Sequence, residues 1–442
     1  MMADKRFGKL IDIYNNKFAP EEKKDEAELW AKLYAAMEPG FELMGFRENG
    51  QNKFARILVI TFDAVGDHIL YGALVKELRR LLPKAKITWL TRASLLPLIR
   101  YCPYVNEVLA MEDSIINPFA IAEATKFCWK NLWSRRFTAC FMPQWSSDKR
   151  SVNAVGFLSG AAMRIGYSNR ILEPYGYVAG QPETGKGYLT HDVVCPGDIV
   201  FELERAVYLL EAVGFKTEKV YPEVWFDEND LSAAKNIIAG LKPGGLICAL
   251  GIGSRDEMRK YPVAKYLAAA GELINKGFRF VIIGGKDEAD DAKFLLDNLP
   301  KDRVVNAAGK TSLRETAAIM ALVDMYIGND TGTMHMAAAR DIPIVELSRE
   351  ASNNKFCKAV PGMYSAATRF YPYTKAPVEL LQPKEQLDDC GDTPIYGGCH
   401  RETAHCITAI KPESIVEAAE KLLAQRENWV PKREIVAFKA VN

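Results

Sequence analysis

From Arg56 onward the chain alternates short β-branched apolar runs with stretches whose apolar residues recur every three or four positions. RILVITF, AKITWLT, NEVLAM, FTACFMP and MRIGY read as the strands of a first series. HILYGALVKELRRLL, ended by Pro83, and LLPLIRYC read as helices of that series. A second series starts near Leu246, after the soft boundary AGLKPGG. Its strands are LICALGIG, FRFVIIGG, RVVNAAG, MYIGND and IPIVEL. Its helices are VAKYLAAAGELINKG, EADDAKFLLDNL, LRETAAIMALV and TMHMAAARD. Strands separated by single helices need crossover connections, so each series predicts a parallel sheet covered on both faces. The stretch Ser348–Lys411 reads as loop, and PESIVEAAEKLLAQ as a closing helix with Pro412 in its first turn.

Residues 1–50 carry two amphipathic pieces, KLIDIY and AELWAKLYAAM, and break at Pro39-Gly40 and Asn49-Gly50. They read as a helical extension with no visible chemistry. The whole therefore divides into that extension (1–50), a first α/β domain (51–235), a second (236–425) and a tail (426–442), with a cleft between the two domains.

Composition narrows the classes further. A length of 442 residues, 48% hydrophobic, suits two or three domains with cores of their own. Lys and Arg number 57 against 56 Asp and Glu, a net +1, and no basic run is interleaved with aromatics, so no nucleic-acid partner is expected. The N-terminal residues lack the apolar core of a signal peptide, and no stretch approaches the ~18 uncharged apolar residues of a membrane span. Nine cysteines, five of them in apolar or aromatic contexts (Cys102, Cys128, Cys140, Cys195, Cys248), read as reduced thiols. The expectation is a cytoplasmic protein whose membrane contact is peripheral.

Four turns at strand ends could carry chemistry. Asp63-Ala64-Val65-Gly66-Asp67 joins the first strand to the first helix, with Gly66 allowing a tight turn and Asp67 at the expected N-cap. Taken alone it reads as a capped helix; its functional reading is a carboxylate projected into the cleft as a general base, held ionised by the helix terminus. Gly328-Asn329-Asp330-Thr331-Gly332-Thr333-Met334-His335 would open a helix whose first amides suit a pyrophosphate, with His335 one turn inside. Gly251-Ile252-Gly253-Ser254, followed by Arg255, Arg259 and Lys260, suits a phosphate or a solvated charge run equally. Glu288, or its neighbour Asp287, stands where an acid after a strand accepts ribose hydroxyls or caps the next helix.

Other signals are weaker. NAAGKTS has Val304 where a Walker loop needs its first Gly. Cys390, Cys399, His400, His405 and Cys406 cluster with Cys357 upstream, but without a C-x-x-C pair; zinc or iron is a minor option.

In this order the motifs resemble bacterial heptosyltransferases of glycosyltransferase family 9. RILVITFDAVGDHILYGALVKELRRLLPKAKITWLTR, with PYVNEVL, looks like the family's opening block; VVNAAGKTSLRE and IGNDTGTMHMAAARDIPIVEL look like its nucleotide-sugar block. The likeness runs over about residues 55–425. It implies the GT-B fold: α/β, two Rossmann-like parallel-sheet domains facing across a cleft. It also implies an inverting transfer of heptose from ADP-heptose to a lipid-linked saccharide, the lipopolysaccharide inner core, at the inner face of the cytoplasmic membrane, without a cofactor.

Carried over by motif, Asp67 with Gly66 matches the catalytic-base turn, and Asp330, Thr331, Gly332, Thr333 and His335 match the donor site. Gly253, Ser254, Arg259 and Lys260 fall on the phosphate side, with Arg259-Lys260-Tyr261-Pro262 in place of the family's Lys-x-Trp-Pro. Glu288 falls where the ribose acid stands. Cys390, Cys399 and Cys406 keep open a metal-bearing, protein-glycosylating variant. The remaining alternatives are a different sugar-nucleotide donor, a GT-B-like sugar-nucleotide epimerase, and a non-catalytic scaffold.

Overall fold

A computed structural model describes residues 56–117, 120–145, 150–168, 188–350, 366–383 and 405–425. The helical pieces expected in 1–50, the tail 426–442, and Cys357, Cys390, Cys399 and His400 lie outside the described residues, as does the side chain of His405.

Two six-stranded sheets form, and every strand pair is parallel. The first contains β1 (Arg56–Ile60), β2 (Lys86–Arg92), β3 (Glu107–Met111), β4 (Ala139–Met142), β5 (Met163–Gly166) and β6 (His191–Asp192), in the order β3-β2-β1-β4-β5-β6. The second contains β7 (Leu246–Gly251), β8 (Phe278–Ile283), β9 (Val304–Asn306), β10 (Met325–Asn329), β11 (Ile344–Leu347) and β12 (Val378–Leu381), in the order β12-β11-β10-β7-β8-β9. Both sheets reverse strand order at their centre, between β1 and β4 and between β7 and β10. Ligands in such sheets bind beyond the carboxyl ends of the strands at that reversal.

The longer helices are α1 (Val65–Leu81), α2 (Ile121–Asn131), α3 (Val152–Leu158), α4 (Glu202–Glu211), α5 (Glu228–Ile238), α6 (Val263–Asn275), α7 (Ala289–Asn298), α8 (Leu313–Met320), α9 (Gly332–Ala339) and α10 (Pro412–Ala424). Central strands are apolar on both faces. In β1, Ile57 and Val59 join one buried cluster while Leu58 and Ile60 join another on the opposite side. That continuous apolar run is the signature of a strand roofed on both faces. The first of these clusters is shared between the sheets: it holds Ile57, Val59 and Trp89 of the first together with Ala249, Val281 and Tyr326 of the second. Helices α1 and α9 pack against each other across that shared layer. Helix α5, which contains residue 235, packs on α8.

The stretch expected to be loop from Ser348 onward contributes β12, which pairs with β11 at the sheet edge. All four of its residues are half-buried, so it lacks the apolar run that marks the inner strands. The five cysteines in apolar contexts are buried free thiols, as the sequence predicts.

Candidate active site

The two helix starts that carry the sequence motifs end against each other. Helix α1 follows β1 through the Thr61–Ala64 turn, and α9 follows β10 through Asp330 and its N-cap, Thr331. A Cβ at Gly66 would stand 2.5 Å from His335 Cδ2, and one at Gly332 would stand 2.7 Å from Val65 Cβ. Contacts that close leave room for hydrogen alone. Gly66 is thus required by the approach of His335, not by a left-handed turn, since its φ lies outside that region. The first amides of both helices, which lack intrahelical partners, gather at this junction with the positive ends of two helix dipoles.

Asp67 is not the N-cap. That position is Ala64, and Asp67 sits three residues in, its carboxylate accepting the Ala64 N–H at 3.0 Å. Protein surrounds the carboxyl closely while part of the residue stays open to solvent. Burial pushes it from its ordinary value up to about 6, the neighbouring Glu202 adds to the rise, and the Ala64 amide and Arg369 oppose it. The expectation that the helix terminus makes Asp67 a weaker base is therefore corrected: desolvation outweighs the amide and makes it a stronger base, still mostly ionised at pH 7.

The turn preceding Asp67 is fixed by His68, which is fully buried. Its Nδ1 meets the Ala64 carbonyl at 2.9 Å, and its Nε2 meets Thr91 Oγ1 at 2.8 Å and the Thr61 carbonyl at 3.0 Å. Burial lowers it to about 4, so it is neutral near pH 7.

On the opposite side Asp330 is buried at the end of β10, with Arg259 Nη1 3.5 Å from its carboxylate. Burial raises Asp330, and Arg259 is the foremost charge opposing that rise. Thr331 and Thr333 hydroxyls meet at 2.9 Å, and Tyr326 Oη meets Thr333 Oγ1 at 2.9 Å. His335 is buried and lowered to about 4 by desolvation, hence neutral, and its Nδ1 has no hydrogen-bond partner among the described residues.

The Gly253 turn is held by Asn329, a residue the sequence reading passed over. Its side-chain amide donates to the Ile252 and Gly253 carbonyls at 3.1 and 3.2 Å and accepts from the Tyr261 N–H and Tyr266 hydroxyl at 3.2 and 3.0 Å. Ser254 Oγ accepts the Asp256 N–H at 3.3 Å.

Lys260 is turned away from Arg259's position: its Nζ pairs with Glu288 at 2.9 Å and Glu257 at 2.7 Å. Glu288 is buried, and its other oxygen accepts the Gly285 N–H at 2.7 Å. Both oxygens of Glu288 are thus engaged within the protein, while Asp287 is exposed. Gly66, Asp67, Gly332 and His335 come together, as do Arg259, Asp330 and the Gly253 turn. Cys406 is half-buried, and among the described residues no three His, Cys, Asp or Glu side chains are grouped to hold a metal.

Such an architecture, two Rossmann-like sheets sharing a core with glycine-bearing helix starts meeting between their strand ends, is the GT-B class of α/β protein. Comparison with known proteins gives a family likeness. Residues 160–366 match the profile of "Glycosyltransferase family 9 (heptosyltransferase)". The chain is 23% identical over 303 residues to lipopolysaccharide heptosyltransferase 2 of Salmonella typhimurium, covering 66% of this chain and 82% of that one. It is 23% identical over 295 residues to the enzyme of the same name from Escherichia coli K12, with the same coverage. Among solved structures, a glycosyl transferase family 9 protein from Veillonella parvula superposes with a TM-score of 0.66 at 18% identity, over 84% of this chain and 98% of that one. The E. coli ADP-heptose lps heptosyltransferase II follows with a TM-score of 0.63 at 22% identity, over 84% and 99%. These matches bear out the resemblance read from the motifs: the chain is a glycosyltransferase similar to those of family 9.

Proposed function

We propose that the protein is an inverting heptosyltransferase that moves heptose from ADP-heptose to a hydroxyl of a lipopolysaccharide inner-core acceptor, with Asp67 as general base. Residues 51–235 hold the acceptor in this reading and residues 236–425 the donor. The observation that carries it is the position of Asp67, a carboxylate raised to about 6 at the junction of α1 and α9. The names of the Salmonella and E. coli relatives, and of the E. coli structure, supply the donor and acceptor class.

The acceptor O–H gives its proton to the Asp67 carboxylate as its oxygen forms a bond to the anomeric carbon. The bond from that carbon to the diphosphate oxygen breaks on the far side, inverting the configuration, and ADP leaves with the electron pair. A base is most effective when its pKa lies near the working pH, which the raised Asp67 satisfies better than an ordinary carboxylate. The amides opening α9, with Arg259 behind Asp330, supply positive potential where negative charge grows on the diphosphate. His335 Nδ1 is a further group that a bound diphosphate or sugar would satisfy.

The acceptor is lipid-linked, so the protein works at a membrane surface; none of the described helices is long and apolar enough to cross a bilayer. The test is turnover of ADP-heptose with inner-core acceptor, scored by ADP release and by the anomeric configuration of the product. Transfer with inversion is expected; release of ADP without a glycosylated product, or retention, overturns the reading.

A further inference from the structure

A segment of the second half reaches across to the helix that carries Asp67. The helical turn Ala366–Arg369 lies between β11 and β12 and sends Arg369 to the first half. Arg369 donates to Glu202 Oε2 through Nη2 at 2.6 Å and Nε at 3.1 Å, and both side chains are buried, at 3% and 2% exposure. Phe370 packs edge-on against His335, the ring that lies on Gly66. Arg369 thus grips α4 of the first half, while Phe370 backs the imidazole that lies on the start of α1.

The surroundings are built to hold that grip. Glu202 opens α4, which packs along α1. One turn beyond Asp67, Leu70 and Ala73 of α1 form a small cluster with Leu203 and Val207 of α4 and Tyr373 of the second half. Tyr373 donates its hydroxyl to Glu204 at 3.0 Å. The Arg369 guanidinium stacks over Trp145 at 4.7 Å, with Arg205 on the same indole at 3.9 Å. Stacking of this kind fixes a planar cation in one orientation, which Lys could not reproduce. A buried ion pair is weak evidence for stability in itself, so its retention beside the base calls for another role.

We propose that Glu202 and Arg369 are positioning residues for the general base: the pair locks the second half onto α4, which packs along α1, and sets the charge balance around the Asp67 carboxylate. This rests on the reading of Asp67 as the base. Glu202 makes loss of the acceptor's proton to Asp67 easier by disfavouring a second negative charge, and Arg369 limits that effect so that Asp67 still ionises at neutral pH. The other charged or titratable groups around Asp67 are Tyr71 on its own helix, Asp63 on the turn before it, Arg150 ahead of α3 and the neutral His335 on α9. Glu202 and Arg369 are the two side-chain charges felt most strongly there, with opposite signs.

The test measures Asp67 titration in the full-length protein twice, by the acid limb of kcat/KM and by carbon NMR of the Asp67 carboxyl without substrate. Glu202→Gln should move the midpoint to lower pH and Arg369→Met to higher pH, each by about half a unit or more. A structural role alone would shift thermal stability in both variants and leave the midpoint in place, or move it the same way in both; either result overturns the proposal. Because each single variant strands a buried charge, the double variant Glu202→Gln/Arg369→Gln is the safeguard. It should titrate below wild type, since Glu202 outweighs Arg369 at Asp67, and an unchanged midpoint overturns the proposal. The two readouts separate the claims. Full activity in Asp67→Ala would sink Asp67 as base, whereas opposite NMR shifts would still establish the pair's hold on that carboxyl.

Discussion

His335 lies across Gly66 so closely that a methyl group on Gly66 would stand 2.5 Å from the imidazole Cδ2. One residue belongs to the second sheet's α9 and the other to the first sheet's α1, so this contact, with Gly332 against Val65, sets how near the two helices come. Gly66→Ala should therefore cost about 1–3 kcal/mol through overpacking and lower turnover. In a His335→Ala background the same substitution should cost much less. Urea unfolding of the four proteins checks this, and additive penalties would mean the two positions do not meet.

Asn329 ties the turn after β7 to Tyr261 and Tyr266 with four hydrogen bonds made inside the protein. Asn329→Leu would leave the Tyr266 hydroxyl and the Ile252 and Gly253 carbonyls without that partner, at about 1–3 kcal/mol for each group left unsatisfied. A loss of at least ~2 kcal/mol in unfolding free energy is expected, with a rise in the ADP dissociation constant. Wild-type stability would show that water replaces the amide.

The two neighbouring cations should respond differently. Arg259 faces Asp330 across 3.5 Å and is proposed to serve the diphosphate, so Arg259→Ala should weaken ADP binding about tenfold while changing stability little. Lys260 is committed to buried Glu288, so Lys260→Met should cost stability, on the order of 2–4 kcal/mol, with the ADP effect secondary. Calorimetric titration with ADP beside thermal unfolding separates them; the reverse pattern would exchange their roles.

Glu346 on β11 is fully buried, and neither of its carboxylate oxygens has a partner among the described residues. Desolvation first, then Asp330 and Glu350, hold it well above the ordinary carboxylate range. The folded protein therefore keeps this proton to higher pH than the unfolded chain does, and stability falls as pH rises from the unfolded value toward the folded one. Glu346→Gln has no such proton to lose and should be more stable than wild type at pH 8, with a smaller difference at pH 5. Parallel stability profiles for the two proteins would contradict the assignment.

Much of this architecture was legible in the chain because its inner strands are apolar on both faces. β1, β7 and β10 stand out as apolar runs, β8 and β11 as runs broken once, by Arg279 and Glu346, and the turns that follow β1 and β10 carry the Gly-Asp and Asn-Asp-Thr-Gly signatures. Of the four edge strands, β3 and β9 were legible, whereas β12, four half-buried residues, and β6, only two residues long, were not. Helices α2, α3, α4 and α5 fall outside the two clear alternating series and were passed over. The same limit applies to the site. Asp67, Gly332 and His335 lie on local motifs, whereas Glu202 and Arg369 are separated by 167 positions and meet only through the packing of one half on the other. The role of burial was also hidden, since a turn sequence shows the amide beside Asp67 but not the protein that surrounds its carboxyl.

The central claim is that Asp67 removes the acceptor's proton while the donor is held by other groups. The most direct measurement is the rate of sugar transfer from ADP-heptose by Asp67→Ala, taken beside the ADP-heptose dissociation constant of the same variant. A fall of at least ~10²-fold in rate with nearly unchanged donor affinity is expected for loss of a general base. Transfer at a near-normal rate would remove Asp67 from the chemistry and contradict the account.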